Sequence, residues 1–114
     1  MISELMRSRT IVHKMHLATK SFAEHKALDD YYNDIVGLID SLVETYQGEY
    51  GIITKYPEAK LTGTESVSYL SSLLSFIKQN RYKCCDKEDT HLQNIIDEVV
   101  ALIYQTLYKL KYLS

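Results

Sequence analysis

The stretch GIITKYPEAKLTG, residues 51–63, decides how the helices of this chain can be arranged. It contains the only proline, Pro57, and two of the four glycines, so it is predicted to be an irregular connector. Thirteen extended residues at ~3.3 Å each reach about 40 Å, which is the length of a helix of roughly 25 residues. The connector can therefore cross the whole bundle and leave the helices before and after it parallel, whereas an up-down-up-down bundle needs only a short turn there.

Apolar residues recur with the helical period on both sides of this connector, and no stretch alternates with the period of a strand. Ser21 and Glu24 form a capping box that begins a second helix, and Gly48 and Gly51 are expected to end it. Thr62 or Thr64 is the expected cap of a shorter third helix, and Asp86 or Asp89 that of the last helix. The first helix is predicted from about Ile2 to Leu17, the second from about Phe22 to Gln47, and the last through Leu92 to Leu110.

These elements predict an all-α fold, a four-helix bundle with a crossover between helices two and three. The 114 residues are 46% hydrophobic and 25% charged, as in one soluble globular domain that covers residues 1–114. A net charge of −2 does not fit a general DNA-binding protein. No apolar run approaches the ~18 residues of a membrane span, and the adjacent Cys84 and Cys85 suit reduced thiols in a loop. We therefore expect a cytoplasmic protein without a membrane partner.

Three of the four histidines lie in HKMHLATKSFAEH, residues 13–25. At about 100° per residue, the side chains of the second helix that could bind a metal fall in one band off the core stripe. The members of this band are His25, Asp29, Asp40 and Glu44. His13 lies off the core stripe of the first helix, beside Met6 and Leu17, whereas His16 is expected to be a hydrogen-bonded core residue. A second face that mixes apolar groups with metal-type ligands indicates an interface.

The spacing of these residues resembles a known family. His13 and His25 are separated by eleven residues, Asp29 follows four residues after His25, and Asp40 and Glu44 form a later D-x3-E pair. This pattern is similar to the ferroxidase signature of the Dps proteins, the mini-ferritins of the ferritin-like superfamily. SFAEH and DSLVETYQGEYG also resemble the start and end of that family's second helix, and the last helix resembles its final helix.

The resemblance implies a ferritin-like bundle that binds iron and oxidises Fe(II). It assigns metal ligation to His13, His25, Asp29, Asp40 and Glu44, and the ferroxidase reaction to all of these except Asp29. Mixed imidazole and carboxylate ligands suit iron independently of the resemblance. His25 and Asp40 stand fifteen residues apart, or roughly 22 Å along a helix, so one ion can contact both only if a second subunit supplies half of the site. The expected partner is a second copy of the chain, in a homodimer or a larger assembly of dimers.

The chain also departs from the family pattern. Lys14 stands where the family usually has tryptophan, the connector has no room for an extra helix, and no lysine-rich tail precedes the first helix. We therefore do not extend the resemblance to a twelve-subunit shell or to DNA binding. The alternative is a non-enzymatic helical dimer, a binding or structural module that keeps the fold without the chemistry. Whether the site is dinuclear or mononuclear, and whether the oxidant is oxygen or peroxide, stays open.

Overall fold

The computed structural model describes residues 1–113, which fold into four α-helices without a strand. This arrangement confirms the predicted all-α four-helix bundle. None of these helices is long and apolar enough to cross a membrane. The helices are α1 (Ile2–Ala18), α2 (Phe22–Tyr50), α3 (Ser66–Cys84) and α4 (Thr90–Tyr112).

The direction of each helix follows from the contacts between helix ends. Ser66, at the start of α3, donates a hydrogen bond of 2.9 Å to Glu24, at the start of α2, so α2 and α3 run parallel. Lys109, near the end of α4, lies 3.2 Å from Asp30, near the start of α2, so α2 and α4 run antiparallel. α1 packs against α2 and α3, and α4 packs against the same two helices. The crossover between helices two and three is therefore confirmed.

The crossover, residues 51–65, contains no helix and runs along α1. The buried carboxylate of Glu4 accepts hydrogen bonds from the backbone N–H groups of Lys60 (2.5 Å) and Leu61 (3.2 Å). Arg7 donates to the carbonyl of Ala59 at 3.3 Å. A buried carboxylate is costly unless it is hydrogen-bonded, and here the connector's own amides satisfy it. Glu4 thus fixes the path of the crossover on α1.

The beginning of α3 differs from the predicted caps, whereas α4 begins at one of the two predicted cap residues. Neither Thr62 nor Thr64 caps α3; Glu65 does, because its carboxylate accepts from the N–H groups of Val67 and Ser68 at 3.0 and 2.7 Å. Hydrogen bonds from these amides hold the pKa of Glu65 below its ordinary value. Asp89 is the N-cap residue of α4, but its side chain makes no capping hydrogen bond.

The ends of α2 also correct the sequence prediction in part. Ser21 accepts a hydrogen bond from the N–H of Glu24 at 3.2 Å, which is half of the predicted capping box. The Glu24 carboxylate instead accepts from the hydroxyl of Ser66. Gly48 does not end α2, since it lies inside the helix, whereas Gly51 does, with a φ of 96° that favours glycine.

A continuous apolar core fills the bundle along its length. It holds two fully buried tyrosines, and the Tyr31 hydroxyl lies 2.8 Å from the hydroxyl of Ser8, which donates to the carbonyl of Leu5 at 2.6 Å. Burial raises the pKa of Tyr31 far above its ordinary value. The largest fully buried side chains besides Tyr31 and Tyr69 are Leu5, Leu28, Ile35, Leu42, Leu70, Leu73, Ile77, Leu92, Ile96 and Ile103.

The two cysteines do not lie in a loop as predicted. Cys84 is the last residue of α3 and Cys85 caps that helix, and both are free thiols. Burial raises the pKa of Cys85 to about 12, so its thiolate is scarce at neutral pH.

Candidate functional site

Two histidines form a reciprocal pair at the turn between α1 and α2. The ring centroids of His16 and His25 are 3.6 Å apart and the rings are stacked. Nδ1 of His16 lies 2.7 Å from the carbonyl oxygen of His25, and Nδ1 of His25 lies 2.8 Å from the carbonyl oxygen of His16. A carbonyl oxygen only accepts, so both Nδ1 atoms carry hydrogen and donate. In a neutral ring this leaves Nε2 unprotonated, which is the form that binds metals.

The short turn explains why the two rings meet. Only residues 19–21 separate the two helices, and the N–H of Ser21 donates to the hydroxyl of Thr19 at 3.1 Å. The last turn of α1 and the first turn of α2 must therefore face each other. His16 is only 6% exposed, which confirms the prediction of a hydrogen-bonded core histidine.

His13 and Asp29 join this pair through Tyr32. The His13 ring stacks on the Tyr32 ring at a centroid distance of 4.4 Å, and Tyr32 meets the His16 ring edge-on at 5.1 Å. Hydrogen bonding to the Asp29 carboxylate raises the pKa of Tyr32. We call His13, His16, His25, Asp29 and Tyr32 the histidine cluster. The structure thus brings three of the five predicted ligands, His13, His25 and Asp29, to one end of the α1–α2 hairpin.

The other two predicted ligands lie elsewhere on the same helix. Asp40 and Glu44 are exposed side chains of α2, and Asp40 is fifteen residues, or roughly 22 Å, from His25. Asp40 borders a shallow groove between α1 and α2 together with Met6 and Val36. A single chain therefore does not bring these carboxylates to the histidines.

Large apolar side chains are exposed along the α1–α2 hairpin, close to both groups of predicted ligands. Leu17 and Phe22 are 69% and 76% exposed beside the histidine cluster, and the Phe22 ring lies 6.4 Å from that of His25. Met6, at the groove beside Asp40, is 40% exposed. Exposed apolar surface next to polar groups is typical of an interaction site. We call the surface formed by Met6, Leu17, Phe22, Val36 and the five predicted ligands of α1 and α2 the outer hairpin face.

The structure also brings together three residues that sequence reasoning did not connect. Glu49, Asp89 and His91 each place one possible ligand atom within 4.8 Å of the other two. Nε2 of His91 lies 2.6 Å from Oε1 of Glu49, and the Tyr50 hydroxyl donates to Asp89. The side chain of His91 is 52% exposed. The sequence indicated only that α2 ends near a glutamate and that α4 begins near an aspartate and a histidine.

The fold and the site define a small helical-bundle protein whose first hairpin carries a histidine cluster beside an exposed apolar face. The chain belongs to the family described as DUF5856, a family of unknown function, whose model matches residues 16–110. It is 31% identical over 110 residues to an uncharacterized 14.6 kDa protein in the mobD-ri intergenic region of Enterobacteria phage T4, a match that covers 93% of this chain and 81% of the phage protein. No solved structure matches the chain. The resemblance to the Dps proteins therefore stays a prediction.

Proposed function

We propose that the protein binds Fe(II) as its substrate at sites shared between two copies of the chain, and oxidises it to Fe(III). The observation that carries this proposal is the division of the predicted ligands on α2. His25 and Asp29 lie near its start, whereas the exposed Asp40 and Glu44 lie about 22 Å or more beyond His25.

A two-fold dimer would join the two halves of the site. If the α2 helices of two copies pack antiparallel, the histidine cluster of one chain faces Asp40 and Glu44 of the other. Two-fold symmetry then produces two equivalent sites. Burial of Leu17 and Phe22 would favour this dimer, because each side chain exposes most of its apolar surface in the single chain.

The ligand types suit the proposed reaction. Imidazole nitrogens hold ferrous iron, and carboxylate oxygens balance the additional charge of ferric iron. Each Fe(II) loses one electron to dioxygen or hydrogen peroxide. The reciprocal hydrogen bonds of His16 and His25 use Nδ1 and so direct metal binding to Nε2, as backbone carbonyls commonly do for metal-binding histidines.

The second candidate function is a structural or binding module built on the same dimer. The observation that favours it is that His16 and His25 already hold the α1–α2 turn together through their hydrogen bonds. In this case the imidazoles stabilise the hairpin and bind no iron. For either function we propose a cytoplasmic location, because two adjacent free thiols suit a reducing compartment.

Mixing two variants tests the shared site. His25→Asn removes Nε2 but keeps an N–H donor where Nδ1 meets the His16 carbonyl, and Glu44→Gln removes one carboxylate. Each variant homodimer should oxidise Fe(II) poorly. A heterodimer contains one site with both changes and one site with neither, so its activity should return towards half of the wild-type value. Asp34→Asn, an exposed change on another side of α2, is the control that should keep full activity.

Two results would contradict the proposal. Verified heterodimers that recover no activity would reject the site shared between chains, because a site within one chain stays damaged in every subunit. Wild-type protein that neither binds nor oxidises Fe(II) would reject the ferroxidase function and favour the structural module.

A further inference from the structure

We propose that Glu49, Asp89 and His91 form a separate metal site that takes one divalent transition-metal cation such as Zn(II). The three residues lie where α2 ends and α4 begins, far from the turn between α1 and α2. Glu49 is in the last turn of α2, Asp89 is the N-cap residue of α4, and His91 is in its first turn. An ion bound here would join two elements that are about forty residues apart in sequence.

The donor set and its spacing fit such an ion. One ligand atom from each residue lies within 4.8 Å of the other two. A tetrahedral zinc ion with bonds of about 2.1 Å holds its ligand atoms about 3.4 Å apart, so side-chain rotation alone can close the site. One imidazole with two carboxylates is a ligand set of the kind that Zn(II) and its first-row neighbours accept, with a remaining position for water.

The charges around the cluster leave a place for a cation. Within residues 1–113, neither Glu49 nor Asp89 forms an ion pair with a lysine or an arginine. The nearest partner is the His91 ring, whose Nε2 lies 2.6 Å from Glu49. A metal ion would replace the hydrogen shared by these two atoms, and that hydrogen would leave as a proton.

Asp89 is held in position as metal-binding carboxylates commonly are. Its residue is only 9% exposed, and its carboxylate accepts from the Tyr50 hydroxyl instead of capping α4. A hydrogen bond to a ligating carboxylate from outside the site fixes its orientation.

Zn(II) titration tests the site in a protein that lacks the three imidazoles of the histidine cluster. We would use the full chain with His13→Asn, His16→Asn and His25→Asn, and follow binding by calorimetry and the His91 ring signals by NMR. We expect one Zn(II) per chain, shifted His91 signals and a metal-dependent rise in Tm, because an ion that binds only the folded chain stabilises it. His91→Ala or Glu49→Gln in this background should weaken binding at least tenfold. Asn94→Ala, an exposed neighbour on α4, should leave it unchanged.

The proposal is overturned if the triple variant folds and binds no Zn(II), or if binding is equally tight without His91 and Glu49. Should the triple variant not fold, the wild-type chain and its His91→Ala variant are titrated in the same way. The proposal is then overturned if Zn(II) leaves the His91 signals of the wild-type chain unshifted, because only these signals report on this site. If this Zn(II) site is rejected, the proposal of Fe(II) oxidation at the outer hairpin face still stands, because that reaction is tested by substitutions of different residues.

Discussion

His16 and His25 each donate from Nδ1 to the backbone carbonyl oxygen of the other, at 2.7 and 2.8 Å. One ring atom of each histidine therefore holds the α1–α2 turn, and the other ring nitrogen is the atom that chemistry can use. For His25, the structural role and the proposed metal-binding role are thus separated within one imidazole. Substitutions that keep one ring position and remove the other can measure the two roles independently.

His16→Ala should lower the free energy of unfolding by about 1–3 kcal/mol, because it removes a largely buried ring together with its hydrogen bond to the His25 carbonyl. His16→Asn should cost less, since its amide N–H can take the place of Nδ1. Urea denaturation of both variants measures the difference. Equal losses would contradict the assigned hydrogen bond.

Ser8 and Tyr31 provide a second measure of a buried polar contact. Ser8→Ala should cost about 1–3 kcal/mol, because the fully buried Tyr31 hydroxyl loses its partner. Tyr31→Phe should cost less, since Ser8 still donates to the Leu5 carbonyl. The double variant should lose less than the sum of the single variants, as expected for directly coupled residues. Strictly additive losses in a double-mutant cycle would argue against this contact.

The outer hairpin face should hold two chains together. We expect light scattering at micromolar concentration to show a dimer or a multiple of it, and Leu17→Glu with Phe22→Glu to convert it into a folded monomer. Tyr112→Glu is a matched control, because Tyr112 is exposed to a similar extent (74%) but lies on α4. A stable wild-type monomer would contradict both the dimer and the shared iron site.

Tyr50→Phe should destabilise the protein more near pH 6 than near pH 3. Hydrogen bonding to Tyr50 lowers the pKa of Asp89 in the folded chain below its ordinary value of 3.8. This contribution to stability is therefore present above pH 3.8 and is lost as the pH falls through the lowered pKa of the folded chain. Denaturation at several pH values and NMR titration of Asp89 check the prediction. Tyr82→Phe, at an exposed tyrosine, should show no such pH dependence.

DNA binding should be weak at physiological salt. A chain with a net charge of −2 neutralises few phosphates, so the salt-dependent part of DNA affinity is small. A gel shift in about 150 mM salt checks this, and tight binding there would show that the expectation is wrong.

The helices were predictable because apolar periodicity depends only on local sequence. The end of α2 was missed by three residues, because Gly48 keeps a helical backbone and the positive φ that ends the helix comes at Gly51. The start of α3 was missed because a glutamate, rather than one of the nearby threonines, caps it. In each case a general residue preference was overridden by local geometry.

The candidate sites were predictable only where their residues share a helix or a turn. The spacing of His25 and Asp29 on α2 indicated their proximity, and the burial of His16 followed from its helical position. The partner of His16 depended on the path of a three-residue turn. Glu49 and His91 are forty-two residues apart, and they meet only because α4 returns antiparallel along α2. No spacing within a single helix could indicate that contact.

The crossover along α1 divides the chain into two helical hairpins, each built from helices that are neighbours in sequence. Short turns close such hairpins at little cost in chain entropy, whereas joining α2 to α4 first requires the longer crossover to close. We therefore expect each hairpin to gain its helices early, and the rate of folding to be set by the docking of one hairpin onto the other. On this view Glu4, which anchors the crossover from inside α1, acts on the speed of assembly as well as on the final structure.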